Sequence, residues 1–392
     1  MKMPIATVAR DSCNYMTQKL VLIGGGHSHA IALKQWGLNP ILGVDLILIS
    51  DVEQTPYSGM LPGHVAGFYS YEETHIDLRR LAHFANATLI VDRAIKIDLD
   101  QNRVITEHHQ LEFDYLSLDI GSTPQTLTIP GARTYAVPAK PVPVFLEAWS
   151  KLKQLVVSNP QQPLSIVIVG GGAGGVELAL NMQTGLQKIL PDRHRSSFTI
   201  HLIHRGQQLL AGHNNWVSNK LAKILDQRGI ELHLSQKVTE VLPDRIVCQS
   251  GLSIKSSRVF WVTQATAPNW IDNSDLATDS TGFILVADTL QSISHPQVFA
   301  AGDIATMINY PRPKAGVFAV RQGQPLFDNW QRILNGQSLI DYQPQDKYLA
   351  LIGTGDGKAI ASWANWGWKS SILWWLKDYI DRQFMNQFVD LG

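Results

Sequence analysis

The chain has 392 residues, 45% of them hydrophobic and 17% charged, a length that suits about two or three domains with sizeable cores. Its 33 basic and 33 acidic residues balance, which argues against the basic surface of a nucleic-acid binder. Only Cys13 and Cys248 are present, so no disulfide framework beyond one bridge is possible, a Cys-x-x-Cys relay and a cysteine metal site are excluded, and a reducing, cytoplasmic setting is expected.

In chain order, the first eighteen residues carry Lys2, Arg10 and Asp11 and no apolar stretch, so no signal peptide is expected. No apolar run anywhere reaches the roughly 18–20 residues of a membrane-spanning helix. The run Leu20-Val21-Leu22-Ile23 closing on Gly24-Gly25-Gly26 predicts a buried strand, a tight turn and a helix over 19–37. A second parallel strand is expected to end at Ser50, followed by Asp51, completing a βαβ unit. The segment Thr55–Gly63 is rich in turn formers and reads as a loop. Short strands are expected over 88–118, and Pro138–Pro143 reads as a linker crossing.

The run Ile166-Val167-Ile168-Val169 then closes on Gly170-Gly171-Gly172-Ala173-Gly174-Gly175. Gly170, Gly172 and Gly175 hold the Gly-x-Gly-x-x-Gly spacing after a β-branched strand and before Val176-Glu177-Leu178. The first glycine permits the turn, the second lets backbone approach phosphate, and the third lets helix pack on strand. The first motif departs from this spacing. Gly24 and Gly26 are in place, but His29 stands at the third position, so helix and strand must spread or His29 must point away from the sheet. His27 and His29 do not share a helix face, so no metal site is read there; His27 is a candidate ligand contact. Two phosphate cradles in one chain imply two dinucleotides and electron transfer between them.

The second βαβ unit ends on His204-Arg205, where an NAD site usually carries a carboxylate; an arginine suits the 2′-phosphate of NADPH. Strands over 230–262 complete a second, smaller domain. The chain then returns to the first domain through Val298-Phe299-Ala300-Ala301-Gly302-Asp303, whose aspartate is placed to accept from a flavin ribitol or to cap a turn. A helix is expected over 314–334, with Ala315, Phe318, Ala319, Gln322, Leu326 and Trp330 on one stripe and Pro325 kinking or interrupting it. Lys314 would stand at that helix's start, where the dipole disfavours a cation by about 0.3–1 kcal/mol unless an anion such as a reduced flavin is near. Five of the eleven tryptophans lie beyond residue 360, and a helix is expected from Ser371 onward. Its Ile372, Leu373, Leu376, Ile380, Phe384 and Phe388 form an apolar stripe opposite a polar face of Lys377, Asp378, Asp381 and Arg382.

Both glycine motifs, the Asp119-Ile120-Gly121-Ser122-Thr123-Pro124 crossing, Ala301-Gly302-Asp303 and the helix through Ala319 to Asn329 together resemble the two-dinucleotide-binding-domain flavoproteins, most of all the type II NADH dehydrogenases. More narrowly, Gly24–His29, Thr55–Gly63 and Asp381–Met385 resemble the flavoprotein module fused ahead of selenide, water dikinase in some bacteria.

The resemblance implies an α/β fold of two Rossmann-like domains, the second inserted in the first, with a C-terminal α-containing extension. An FAD-binding domain is expected over 19–140 and 271–335, an NAD(P)H-binding domain over 141–270, and an interface or membrane-surface segment over 336–392. FAD would meet Gly24, Gly25, Gly26, His27, Ser50, Asp51, Pro62, Gly121, Gly302, Asp303, Lys314 and Ala315. NADH or NADPH would meet Gly170, Gly172, Gly175, Glu177, His204 and Arg205. Glu177 matches a family glutamate near the nicotinamide–flavin contact, and Glu177 with Lys314 are the candidate catalytic residues.

Two departures bear on the acceptor. Val317 stands where the family has a glutamine near the quinone, and a second family glutamine falls near Arg321 or Gln322. The implied activity is FAD-dependent NAD(P)H:acceptor oxidoreduction, with quinone as the leading acceptor. The alternatives are a redox module partnering selenide, water dikinase, and a non-catalytic flavin-bound interaction domain. Peripheral membrane contact and a homodimer are further expectations.

Overall fold

Apolar, largely β-branched runs build the centres of both sheets. In the computed structural model, residues 17–124, 129–195, 197–263 and 265–391 are described; Cys13 and the polar leader lie outside them. The first run forms β1 (Gln18–Ile23), followed by α1 (His27–Leu38), β2 (Val44–Ser50), β3 (Thr88–Val91) and β4 (Tyr115–Leu118). The crossing then supplies β5 (Ala136–Pro138) and α2 (Val142–Ser158). The second glycine run forms β6 (Leu164–Val169), α3 (Ala173–Ile189) and β7 (Phe198–Ile203), and β8 (Glu231–His233) and β9 (Arg258–Trp261) follow. The chain returns with β10 (Val298–Ala300) and α4 (Gly316–Leu334).

Among the described residues, one five-stranded sheet has the order β10-β4-β1-β2-β3 and another the order β5-β9-β6-β7-β8. Every pairing in both is parallel. Such sheets are buried on both faces, which explains strands that read as continuous apolar runs rather than alternations. In each, the glycine-loop strand lies where the winding reverses. A doubly wound sheet binds ligands at that point, outside the carboxyl ends of its strands. The ends of β1, β2, β4 and β10 bring Gly24, Ser50, Asp119 and Gly302-Asp303 to one crevice.

Three expectations change at this level. Pro325 does not interrupt α4, which runs unbroken from Gly316 to Leu334. The proline lies next to exposed Arg321 and Gln324, so the Arg321 carbonyl left without a donor is on the outer turn, while Phe318, Ala319, Gln322, Leu326 and Trp330 are buried as the stripe predicted. The C-terminal extension is not only helical: β11 (Ala350–Gly353), β12 (Ala359–Trp363) and β13 (Trp366–Ser370) form an antiparallel sheet ahead of α5 (Ser371–Asn386). Finally, the buried face of α5 is rotated: Leu373, Phe384 and, just past the helix, Phe388 are buried as the stripe predicted, but Lys377 and Asp381 of the polar face are buried with them, and Leu376 and Ile380 are not. Leu373, Lys377, Asp381, Phe384 and Met385 are its buried residues, whereas Ile372 and Trp375 are 65% and 69% exposed. No helix among the described residues is long and apolar enough to cross a membrane.

Candidate flavin and nicotinamide sites

Each glycine of the first motif has a steric cause. Gly24 has φ +91°, and a β-carbon there would lie 2.4 Å from the Asp119 carbonyl oxygen. A β-carbon on Gly26 would lie 2.3 Å from the Asp119 carboxyl group, and one on Gly302 would lie 2.3 Å from Asp119 Oδ1. Asp119 is thus clamped between two glycines from different segments. Its carboxyl group accepts from the Ser28 and His29 amides at 2.8 and 3.1 Å, so it caps α1 from outside the helix. Burial raises Asp119 to about 7, with the His29 and Ser28 amides partly offsetting that rise.

His29 does not point away from the sheet. It is fully buried, with Nδ1 2.7 Å from the Gly24 carbonyl and Nε2 2.8 Å from Ser117 Oγ. A carbonyl can only accept, so Nδ1 carries the proton and Nε2 accepts from the serine. Burial holds the ring neutral, near 4. His29 is therefore a satisfied core histidine that ties α1 to β1 and β4.

A cavity of about 620 Å3 opens at the switch point, within the range of small-molecule sites. Of the residues expected at the flavin, Gly24, Gly25, Gly26, His27, Ser50, Asp51, Gly121, Asp303 and Lys314 line it. Gly302 and Ala315 line a smaller adjoining cleft, and Pro62 lines neither, being in the short helix Leu61–Val65. Ser50 Oγ is 3.3 Å from the Val52 amide and closes its own turn, which leaves Asp51, exposed at the mouth, as the carboxylate after β2. That is the position from which a Rossmann fold holds a ribose.

Asp303 accepts from Lys140 Nζ at 2.7 Å and from Ser122 Oγ at 3.0 Å, and these partners hold its carboxyl group below the usual range despite burial. Lys140 comes from the segment read as a linker crossing. Lys314 lies two residues before α4 and donates to the Ala305 carbonyl at 2.5 Å and Thr306 Oγ1 at 2.9 Å, with Nζ 4.0 Å from the Phe283 ring centre. Burial lowers it to about 8. Gln322 is buried and accepts from the Gly302 amide at 2.7 Å, fixing the turn that presents Asp303. The donor set fits a flavin dinucleotide: a helix N-terminus for the diphosphate, a carboxylate after β2, and a half-buried Asp303–Lys140 pair beside His27, which burial lowers to about 4.

The second motif is built more openly. Gly170 has φ +131°, with a β-carbon 2.2 Å from the Val262 carbonyl oxygen; one on Gly175 would lie 1.8 Å from the Gly170 carbonyl oxygen. A β-carbon on Gly172, the N-cap of α3, would meet nothing within 4 Å. The two outer glycines are demanded by the fold, and the middle one faces free space at a helix N-terminus. His204 Nδ1 accepts from the Gly171 amide at 3.2 Å, and its ring packs between Gly171 and Gly206. Arg205 is exposed at the carboxyl end of β7.

Glu177 lies away from the flavin cavity lining and faces the C-terminal segment. Its Oε1 accepts from the Gly353 amide at 2.7 Å, and burial raises it to about 7 against the opposing pull of Lys377. Lys377 donates to the Gly59 carbonyl and to Asp381 Oδ2, both at 2.8 Å. Tyr57 bonds Asp381, which with burial raises the phenol well above its usual range. The Tyr57 ring is 4.4 Å from Phe384 and 5.1 Å from His27. This explains the rotated helix. Lys377 and Asp381 neutralise one another at i,i+4 and find further partners in the 55–63 loop, so their strip can be buried. Sequence reading placed them on the polar face opposite the apolar stripe; Lys140, Asp119, Tyr57, Lys377 and Asp381 were all missed as site residues.

The chain matches the pyridine nucleotide-disulphide oxidoreductase family over residues 18–323. It is 21% identical to a type II NADH:quinone oxidoreductase of Staphylococcus epidermidis, over 96% of this chain and 97% of that one. Its fold is similar to that of NDH2 from Plasmodium falciparum in complex with NADH, with TM-score 0.80, 16% identity, and 95% and 98% of the two chains covered. The sulfide:quinone oxidoreductase of Aquifex aeolicus matches with TM-score 0.78 and 18% identity, over 96% and 92% of the chains. With two nucleotide cradles on a doubly wound fold, the chain belongs to the pyridine nucleotide-disulphide oxidoreductase family and is a flavin-dependent NAD(P)H oxidoreductase, using FAD and NAD(P)H.

Proposed function

We propose that this enzyme oxidises NAD(P)H and delivers the electrons to a membrane-dissolved quinone. The observation that carries this reading is an exposed aromatic face beside a buried ionisable cluster. Trp366 is 80% exposed and Trp375 69%, and Trp368, Ile372 and Tyr379 lie exposed on the same hairpin and helix. Amphipathic rings of this kind suit the boundary between headgroups and acyl chains. On its opposite side, α5 holds Lys377 and Asp381 against the loop that carries Tyr57 and Gly59. An apolar acceptor reaching the inner side of α5 would meet Glu177, whose carboxyl group, raised by burial to about 7, can hold or release a proton near neutral pH. The type II NADH:quinone oxidoreductases that the chain resembles support the same acceptor class.

FAD, when bound, supplies the hydride acceptor and the electron carrier. The protein's work is positional. The α1 terminus and Asp51 hold the dinucleotide, Lys140 and Asp303 fix the polar centre, and the loop 55–63 excludes water from one side. The α3 terminus with Gly172 would hold the nicotinamide nucleotide, and Arg205 favours the 2′-phosphate of NADPH. Stopped-flow bleaching of flavin absorbance by NADH and NADPH, followed by reoxidation with a soluble quinone, tests the reading; flavin that bleaches but is not reoxidised faster by quinone than by oxygen would defeat it. Liposome flotation of W366S/W375S tests the membrane face without removing α5, whose inner strip belongs to the site. Retained flotation would defeat that part.

A further inference from the structure

We propose that His201, Glu231 and His233 form a binding site for a divalent transition-metal ion of the zinc class, on the edge of the nucleotide-binding sheet. β7 and β8 are parallel neighbours, with His201 paired to Glu231 and Ile203 to His233. Glu231 and His233 are two residues apart on one strand and share a face, so the register brings all three side chains to one spot.

The distances between the ligand atoms argue for a metal rather than a chance cluster. His201 Nδ1 is 3.3 Å from His233 Nε2 and 3.1 Å from Glu231 Oε2, and His233 Nε2 is 3.7 Å from the same oxygen. A tetrahedral zinc ion with bonds of about 2.0–2.1 Å requires ligand atoms about 3.3–3.4 Å apart. The three observed edges bracket that value. One proton on Nδ1 cannot serve both neighbours well, whereas a cation among the three atoms satisfies all of them. The histidine side chains are 12% and 21% exposed and the glutamate 55%, which leaves the outward position open to water, as in three-ligand zinc sites. The donor set of two nitrogens and one carboxylate oxygen suits zinc better than calcium or magnesium.

The site connects to the nicotinamide cradle. The His204 amide donates to the His233 carbonyl at 2.9 Å, so an ion clamping β7 to β8 also braces the His204-Arg205 turn.

The test uses full-length, FAD-loaded protein treated with chelator and then titrated with Co2+ and Zn2+ under equilibrium dialysis. One equivalent of Co2+ is expected, with a visible absorption band that one equivalent of Zn2+ removes. H201N and H233N should each weaken binding by more than the roughly 10–100-fold typical of losing an outer-shell partner. H108A, in the separate Asp92–Glu107–His108 cluster, should leave binding intact. Flavin reduction by NADPH in each variant verifies that it is folded. Absence of saturable uptake, or uptake undiminished in folded H201N and H233N, would overturn the proposal.

Discussion

Asp119→Asn isolates the cost of burying a carboxyl group beside a diphosphate site. Asp119 is 3% exposed, and burial moves it from an ordinary 3.8 to about 7. A carboxyl group raised on folding favours the folded state only while protonated. Its penalty is nearly absent below pH 3.8, grows as pH rises through the interval, and levels off above 7. Linkage gives a penalty of about 0.6 kcal/mol at pH 4 and about 4 kcal/mol at pH 8. Asparagine keeps an Oδ1 acceptor for the Ser28 and His29 amides but never ionises. The stability gap between D119N and wild type should therefore swing in favour of the variant by about 3 kcal/mol between pH 4 and pH 8. Urea unfolding of the apoprotein at several pH values measures it, since every other titrating group is shared and cancels. FAD affinity gives a second readout. Two of the four amides at the α1 terminus are engaged by this carboxyl group, so an ionised Asp119 repels the incoming diphosphate and a protonated one does not. Wild-type affinity should weaken above pH 7 while that of D119N stays flatter. A stability gap constant within about 0.5 kcal/mol across the range would refute the reasoning.

Lys377→Met removes the cation that opposes the rise of Glu177, so the apparent pKa governing flavin reoxidation should move above 7, and E177Q should flatten that profile; an unshifted profile in K377M argues that Glu177 plays no part. The same variant leaves Asp381 buried without its partner, which should cost about 3–5 kcal/mol in denaturant unfolding. Gly172→Ala and Gly175→Ala should separate binding from folding. The former meets open space and should keep the melting temperature while raising KM for NAD(P)H, whereas the latter collides with the Gly170 carbonyl and should lower both stability and affinity. Unchanged KM in G172A would remove the phosphate from that helix end. Arg205→Ala should lower kcat/KM for NADPH by about tenfold or more, the scale of one lost charge-assisted contact, and leave NADH nearly untouched. A strong NADH preference already present in the wild type would cancel that expectation.

What could be read along the chain was what a short window carries. The β-branched runs before Gly24 and Gly170 exposed both parallel sheets, because a strand buried on both faces leaves no alternation to confuse with a helix. The Ala301-Gly302-Asp303 turn was legible for a similar reason: a carboxylate ending a buried strand needs a use. Residues whose role depends on distant partners were not legible. Asp119 shows its function only when Gly26 and Gly302 close around it, and Lys140 only when the crossing folds back on Asp303. The β11–β13 hairpins were missed because their tryptophans read as interfacial, while the turn at Gly355–Gly357 that joins the first two strands carries no apolar period.

The rotated α5 shows why amphipathic periodicity identifies a helix but not the full extent of the face that is inside. The rule that charge faces water presumes that the partner surface is apolar. Here the partner is the 55–63 loop, whose Gly59 carbonyl and Tyr57 hydroxyl require polar company. A lysine and an aspartate one turn apart supply it with no net charge; Leu373, Phe384 and Met385 stay inside with them, while Ile372, Trp375, Leu376 and Ile380 are left exposed. Exposing those apolar side chains would be costly on a freely soluble surface, because exposed apolar patches invite association. It becomes favourable where the outside is itself apolar. On the proposed function, a single helix joins two requirements: an inner strip that holds a proton beside Glu177 and an outer strip suited to a lipid boundary. If the outer strip served only protein packing, W366S/W375S would change oligomeric state while leaving liposome binding at the level of a soluble control.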